Sequence, residues 1–396
     1  MKKRMAMLSA VVLLSLATVS LFGDLPPRAS SLFSPTSTGS EGASSPPAQT
    51  RRRSAPPTPA STAAKRAGPE CDAEAWARKF ERATHVHARG LMAEPDSRSQ
   101  LIAASLLESY DDNDPNRIDA ETAAAAALRL GMNDPLVLWM AAMDCPGKTQ
   151  ACDADTALKR LQRLEPDNGA VWLASMARAQ RRGDEEAVDA ALQRAARAAH
   201  FRTAYVEYGQ EMLFALRQVK VEPMSACASE RFAAASGLKG GQQQIVDLTA
   251  MGRLLALVMP GGPSVGEVCR APLRHRHRAC VDALAKMAES NELADRLMAL
   301  AYLVPLTADR ADGAHWRERM RRLSWLRERM DGSGNDLPPD WLGRALLLGE
   351  IPAFEAWLAE QGLPTEPPPN WLPDDPRQRA LILTGRPPPP SSPVSR

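Results

Sequence analysis

The sequence predicts an all-α protein, and three observations support this prediction. Residues that favour helices, chiefly Ala, Leu, Arg and Glu, dominate the chain, whereas aromatic residues make up only 5% and β-branched runs are almost absent. Asp or Asn recurs at positions where a helix N-cap is expected, followed by apolar residues spaced three and four apart. A segment near residue 137 is repeated at an offset of 33 residues.

The order of helices follows from these start signals. Candidate N-caps are Asp72, Asp96, Asp114, Asp134, Asp153, Asn168, Asp184 and Asp340. Beyond residue 200, apolar spacing predicts helices over 202–217, 243–258, 274–287, 290–304, 314–330, 340–348 and 352–361. The last two are expected to form a hairpin that closes the array.

Composition divides the chain into folded and unfolded parts. Residues 24–70 and 362–396 are dominated by Pro, Ser, Thr, Gly and Ala, so they offer little apolar surface to offset the entropy of ordering. We therefore expect a disordered linker over 24–70, a helical repeat domain over 71–361 and a proline-rich, disordered tail over 362–396.

The N-terminus predicts export. Lys2, Lys3 and Arg4 precede an apolar run over residues 5–22, which is the pattern of an export signal. Because no strong cleavage motif follows, residues 1–23 are expected to remain as an anchor that holds the chain on the periplasmic side of an inner membrane. A cleaved signal peptide, giving a soluble periplasmic or secreted protein, is the alternative.

Six cysteines in an exported chain predict disulfides. Cys145 and Cys152 flank a turn, and bridging them would clamp a helical corner. Cys269 and Cys280 would lie about 16 Å apart on an unbroken helix, too far to bridge, but Pro272 between them predicts a break. Cys71 and Cys227 remain as a long-range third pair.

The repeat resembles a known architecture. Val137-Leu138-Trp139-Met140-Ala141-Ala142-Met143 matches Ala170-Val171-Trp172-Leu173-Ala174-Ser175-Met176, and Leu164-Glu165-Pro166-Asp167-Asn168 precedes the second copy. Gly183-Asp184 falls where a turn between two helices belongs. Over about residues 130–200 the chain thus resembles the tetratricopeptide family, and this resemblance implies an α-solenoid of antiparallel helical hairpins. More broadly, the chain is similar to exported proteins of GC-rich Gram-negative bacteria, which implies no function.

One cluster has metal-ligand chemistry. Cys269, His275, His277 and Cys280 contain the thiol and imidazole groups that zinc prefers. Three neighbouring arginines, Arg274, Arg276 and Arg278, would oppose a cation, and an oxidising compartment favours pairing of the sulfurs. We therefore expect a disulfide with histidines facing solvent, and a metal site only as the less favoured interpretation. The arginine-rich segment 314–330 is expected to present a solvated face, or else to contact an acidic protein or lipid headgroups.

No catalytic motif, no catalytic residue and no cofactor-binding pattern is recognisable, and a formal net charge of +2 argues against nucleic acid as a partner. The chain is therefore expected to be a non-enzymatic envelope scaffold or protein-binding module with a protein or peptide partner, and without a cofactor. The alternative is an enzyme or metalloprotein whose site assembles from distant residues such as His85, His200, His275 and His315.

Overall fold

A computed structural model describes residues 71–108, 116–143, 153–236, 241–255, 262–333 and 337–387. Within these ranges the chain forms seventeen helices and no strand, so the prediction of an all-α fold is confirmed. The predicted signal segment, 1–23, and the linker, 24–70, lie outside these ranges, as do Cys145 and Cys152. No helix in the described ranges combines the length and the apolar composition needed to cross a membrane.

The helices are α1 (Ala73–Leu91), α2 (Ser97–Leu107), α3 (Asn116–Leu130), α4 (Pro135–Met143), α5 (Ala154–Leu164), α6 (Gly169–Arg181), α7 (Glu185–Arg197), α8 (Tyr205–Arg217), α9 (Ala226–Ser236), α10 (Gly241–Leu255), α11 (Gly262–Cys269), α12 (His277–Met287), α13 (Leu293–Leu306), α14 (Gly313–Ser333), α15 (Trp341–Leu348), α16 (Glu350–Glu360) and α17 (Pro376–Thr384).

Most predicted helix starts are confirmed by their caps. The side chains of Asp72, Asp96, Asp153, Asn168 and Asp184 each accept a hydrogen bond from a backbone N–H in the first turn that follows. Asp134 does the same for the N–H of Leu136. Asp340 precedes α15 but makes no cap bond, because its carboxylate pairs with Arg344. Asp114 lies outside the described ranges.

The packing order follows the chain only as far as α7. Helices α1 to α7 each pack against the next, and α12 then packs against α7, followed by α13 and α14. We call this series, α1–α7 followed by α12–α14, the helical row. Helix α8 makes its main contacts with α10 and α15 and also packs on α2. A uniform stack of hairpins would instead place α8 next to α7.

A continuous apolar core joins the first six helices of the row to α8, α10 and α15. Tyr208 of α8 is buried in the same cluster as Trp76 of α1, Leu161 of α5 and Leu346 of α15. Burial of apolar surface on this scale supplies the main driving force for folding. The beginning of α1 is also bonded to α9, because Cys71 and Cys227 form a disulfide with a Cα–Cα distance of 5.1 Å. Closing a loop of 156 residues stabilises the folded state by about 5 kcal/mol on the chain-entropy model.

The sequence predicts that the folded part ends at residue 361. This prediction is wrong, because residues 362–387 are folded as well. The segment 362–387, which we call the C-terminal segment, carries α17 and packs on α13 and α14. The ring of Trp371 meets the ring of Trp325 edge to face at 5.1 Å, and Ile382 is buried. Proline is abundant here, but these few apolar anchors are enough to fix the segment. Residues 388–396 lie outside the described ranges.

The arginines of α14 hold the C-terminal segment in place. Arg321 donates a hydrogen bond to the carbonyl of Pro368 at 2.8 Å, and Arg322 pairs with Glu366 at 3.1 Å. Arg319 pairs with Glu289, and Arg329 lies over the ring of Trp325 at 4.2 Å. The expectation of a solvated arginine face is therefore wrong for Arg319 and Arg321, which are partly buried against groups within the chain, whereas Arg322 and Arg329 are exposed.

We expect Trp371→Ala to lower the free energy of unfolding by about 1–2 kcal/mol, because it removes a half-buried aromatic contact with α14. Leu363→Ala is the matched control, since Leu363 belongs to the same segment but is exposed. Chemical denaturation of the full chain measures both changes. A Trp371→Ala variant as stable as the parent protein would show that the segment contributes nothing to the fold.

Candidate functional site

A cavity of about 250 Å³ lies where α6 and α7 meet α11 and the start of α12. Its lining combines acidic, amide and apolar side chains with one guanidinium: Gln180, Glu185, Val188, Glu267, Val268, Ala271, Leu273 and Arg276. We call it the corner cleft. Leu273 is 56% exposed, so the lining reaches the surface of the protein.

A disulfide shapes one wall of the corner cleft. Helix α11 ends at Cys269 and α12 begins at His277, with Pro272 in the connection. The break allows Cys269 and Cys280 to approach to a Cα–Cα distance of 5.6 Å and to form a disulfide, as predicted. Both sulfurs are fully buried, so the connection over 270–276 is clamped at its base.

Arg276 joins the two sides of the corner cleft. The residue precedes α12 and its side chain is only 9% exposed. Its Nη2 donates to a carboxylate oxygen of Glu185 at 2.6 Å, and its Nε donates to Asp189, both on α7. A second contact to Asp189 comes from His275 Nε2 at 3.0 Å. Two helices distant in sequence are therefore held together by one planar guanidinium.

The pKa values in this ion-pair group follow from competition between burial and pairing. Burial alone would raise the pKa of Asp189, but the hydrogen bonds from Arg276 and His275 outweigh it and lower that pKa. Burial alone would lower the pKa of Arg276, and the bonds to Asp189 and Glu185 reverse that effect. Both groups are therefore charged at neutral pH.

The opposite wall presents hydrogen-bond acceptors. Gln180 Nε2 of α6 donates to Glu267 Oε2 of α11 at 2.5 Å. Among the described residues, no group donates to the buried oxygen Oε1 of Gln180. Exchanging the amide oxygen and nitrogen would set an oxygen against a carboxylate, so the assignment with Oε1 as the unpaired acceptor is the favourable one.

The four residues of the predicted cluster are brought together as a disulfide corner. Cys269 and Cys280 are bonded to each other, so neither offers a thiolate to a metal. His275 is exposed, as predicted, but it contacts Asp189, whereas His277 is half-buried in the first turn of α12. Within the described ranges no group of three His, Cys, Asp or Glu side chains is arranged to hold a metal ion.

The other predicted histidines lie on separate elements. His85 of α1 contacts Asn116 at 3.4 Å, and His315 of α14 meets the ring of Trp316. The backbone of His200, after α7, pairs with Asn168. A common site for these residues and His275 therefore stays a prediction without a contact that supports it.

A second group of unusual side chains is buried beside α8. Glu292 and Asp295, at the start of α13, share a hydrogen bond, and Glu350, at the start of α16, accepts the N–H of Leu293 at 2.8 Å. Thr203 Oγ1 lies 2.8 and 2.7 Å from the two carboxyl oxygens of Glu292 and donates to them. We call Glu292, Asp295 and Glu350 the carboxylate cluster.

Burial is the largest cause of the perturbed acidity in the carboxylate cluster. It raises the pKa of Glu292 to about 9, with a further contribution from the hydrogen bond and charge of Asp295. The pKa values of Asp295 and Glu350 are raised as well, again chiefly by burial. Asp295 is 2% exposed, so a substrate would not reach it. The cluster ties α13 and α16 to the residues before α8.

Comparison with known proteins finds no match: no protein-family model, no curated protein and no solved structure is significantly similar to this chain. The function therefore has to be inferred from the chain's own geometry.

Sequence patterns miss most of the corner cleft. The cysteines, His275 and the break at Pro272 are visible in the sequence, but Gln180, Glu185 and Glu267 belong to ordinary helical stretches. Gln180 and Glu267 are 87 residues apart, and only the packing of α11 on α6 brings them together. Glu185 stands in the first turn of α7, where an acidic residue is expected because it interacts favourably with the helix dipole. Its presence there therefore does not indicate a binding site.

The carboxylate cluster predicts that stability falls as the pH rises. Glu292 has an ordinary pKa of 4.5 when unfolded and about 9 in the fold, so the native state keeps a proton that the unfolded state loses between these values. The resulting stabilisation is fully present below the pKa of Glu292 in the unfolded state. It is lost as the pH rises through the pKa of Glu292 in the native state. The slope is at most about 1.4 kcal/mol per pH unit for each proton.

Denaturation between about pH 7 and about pH 8.5 isolates this effect. His87, whose pKa burial lowers from 6.5, favours stability at higher pH, but that contribution is complete once the pH exceeds 6.5. We expect Glu292→Gln to reduce the slope and Glu81→Gln, an exposed change on α1, to leave it intact. A parent protein equally stable at both pH values would contradict the assignment of Glu292 as a buried neutral acid.

Proposed function

We propose that this chain is a non-enzymatic binding module on the exported side of a bacterial envelope, and that its corner cleft receives part of a protein or peptide partner. The observation that carries the proposal is the cleft's lining. Acidic and amide groups surround a space of about 250 Å³, with apolar contacts from Val188, Val268 and Leu273. A concave space on which several polar groups converge is the default candidate for a recognition site.

The chemistry of the lining favours binding over catalysis. The described lining contains no hydroxyl, thiol or imidazole that would act as a nucleophile. Its one cation, Arg276, is already bonded to Glu185 and Asp189. Glu185 is thereby fixed in an ion pair, and Glu267 accepts a hydrogen bond from Gln180, so neither carboxylate stands beside a nucleophile of the lining that it could activate as a general base.

Export is supported by the sulfur chemistry. Cys71–Cys227 and Cys269–Cys280 are both disulfides, and such bonds persist in oxidising compartments. The basic start of the chain, Lys2, Lys3 and Arg4, and the apolar run over 5–22 agree with this location. We propose that this segment remains as an inner-membrane anchor, with cleavage as the alternative.

The tetratricopeptide-like interpretation belongs to the same proposal. Helices α4 and α5, and then α6 and α7, pack as consecutive pairs within residues 130–200. The turn at Gly183 has a positive φ of 69°, which suits glycine at the end of a helix. Stacked helical pairs of this kind present extended surfaces to partners. In this chain, α11 and α12 pack against the α6–α7 pair and close the surface into a cleft.

Site-specific photocrosslinking in the cells that produce the protein tests the proposal. We expect p-benzoyl-phenylalanine in place of Leu273 to give a discrete adduct with another exported protein, because this exposed side chain lines the cleft. Leu383 on α17 is the matched control, since the two residues are 56% and 58% exposed.

Absence of a discrete adduct at Leu273, or the same adducts at both positions, would contradict a partner in the corner cleft. Titration of free thiols in the recovered variants serves as the folding control. Free thiols at Cys269 and Cys280 would mean that the cleft wall had not formed.

A further inference from the structure

The two disulfides in the described ranges differ in exposure. Cys269 and Cys280 are fully buried, whereas Cys71 and Cys227 are both partly exposed. Thiol–disulfide exchange requires an external thiolate to reach a sulfur of the disulfide, so exposed disulfides are the labile ones. Cys71–Cys227 is therefore the disulfide that a reductant can reach while the chain is folded.

The two sulfurs of this disulfide have different electrostatic surroundings. Cys227 is the second residue of α9, and its sulfur lies 3.6 Å from the hydroxyl of Ser225. That hydroxyl caps α9 by accepting the N–H of Ala228 at 3.2 Å. A thiolate at a helix N-terminus is stabilised by the helix dipole and by nearby donors. Cys71 stands outside the first turn of α1, next to the negatively charged cap Asp72, which disfavours a second negative charge. Cys227 is therefore the better leaving group.

Helix α9 buries little of its own surface. Among its described side chains, only Ala228 is buried. The residues before α9 are held to α1 by a hydrogen bond from Trp76 Nε1 to the carbonyl of Glu222 at 2.8 Å, and by an exposed pair between Lys79 and Glu222. Exposed ion pairs contribute little to stability. We call residues 221–236 the α9 segment, and the disulfide is its strongest link to α1.

We propose that Cys71–Cys227 is a redox-active disulfide, which a dithiol reductant reduces while the chain stays folded, and that reduction frees the α9 segment from α1. A thiolate of the reductant attacks the Cys71 sulfur, the disulfide bond breaks, and Cys227 leaves as a thiolate. The second thiol of the reductant then attacks the mixed disulfide and releases Cys71. The chain gains two electrons and two protons, and the reductant becomes a disulfide. This inference goes beyond the proposed function, because the site lies apart from the corner cleft.

Reduction of the native, full-length chain with dithiothreitol tests the reactivity. Free thiols are alkylated with iodoacetamide at set times and located by peptide mass spectrometry. We expect Cys71–Cys227 to be reduced at least about tenfold faster than Cys269–Cys280, because only the first is accessible in the fold. In a denaturant that unfolds the chain, the two rates are expected to agree within about threefold. Equal rates in the native state would overturn the proposal.

Reduced glutathione, a monothiol, identifies the leaving group. In samples quenched early with acid, we expect the glutathione adduct chiefly on Cys71, because Cys227 leaves more readily. Ser225→Ala removes the hydroxyl beside Cys227 and is expected to reduce this preference by at least about twofold. Thr122→Ala removes an exposed hydroxyl from α3 and is expected to leave it unchanged. Adducts divided equally in the parent chain, or found chiefly on Cys227, would contradict the direction of attack.

Hydrogen exchange tests the release of the α9 segment. In the selectively reduced and alkylated chain, we expect exchange in α9 to be at least about tenfold faster over the first minutes, when only local openings contribute, and exchange in α13 to be unchanged. The same pattern is expected in a Cys71→Ala, Cys227→Ala variant, which carries no alkyl groups. Unchanged exchange in α9 would show that the segment stays fixed without its bond. Faster exchange in every helix would show that reduction unfolds the chain. Either result overturns the proposal.

Discussion

A single buried guanidinium fixes how the helical row continues past α7. Arg276 stands at the start of α12 and bonds to Glu185 and Asp189 on α7. It therefore holds α7 and α12 side by side, although α8 to α11 separate them in the chain. Desolvating a charge is costly unless strong hydrogen bonds compensate for it, and here two carboxylates supply them. Without this bond, the start of α7 would lose its polar link to α12, and the corner cleft would lose the residue that joins its two walls. The Cys269–Cys280 disulfide supports the arrangement by bringing the connection back toward α12.

Other parts of the fold are joined by different means. The carboxylate cluster links α13 and α16 to Thr203, just before α8, through partly buried hydrogen bonds. A long-range disulfide, Cys71–Cys227, ties α1 to α9, and the arginines of α14 hold the C-terminal segment. These links all join elements distant in sequence. They explain why a chain built from short, alanine-rich helices keeps one arrangement when local helix propensity would fit many.

Local features of the fold could be predicted from the sequence, and long-range ones largely could not. Asp72, Asp96 and Asp184 start helices because a cap depends only on the next three residues. The sequence did not predict α9, because its small and polar residues show no clear apolar spacing. It did not predict α17 either, because prolines surround that helix. In the corner cleft the disulfide and the break at Pro272 could be predicted. Gln180 and Glu267 could not, since their meeting depends on the packing of α11 against α6, which no local pattern encodes.

A double-mutant cycle on Arg276 and Asp189 tests the central claim most directly. Arg276→Met, Asp189→Asn and the double variant are compared with the parent chain by chemical denaturation, and the coupling free energy is taken from the four values. The buried bond predicts a coupling of about 1–2 kcal/mol, given that Asp189 is partly exposed. Arg278 and Asp282 on the same helix form the control pair, with the arginine 92% exposed, and are expected to couple by less than about 0.5 kcal/mol. Equal, small coupling for both pairs would contradict the claim that Arg276 holds α12 against α7.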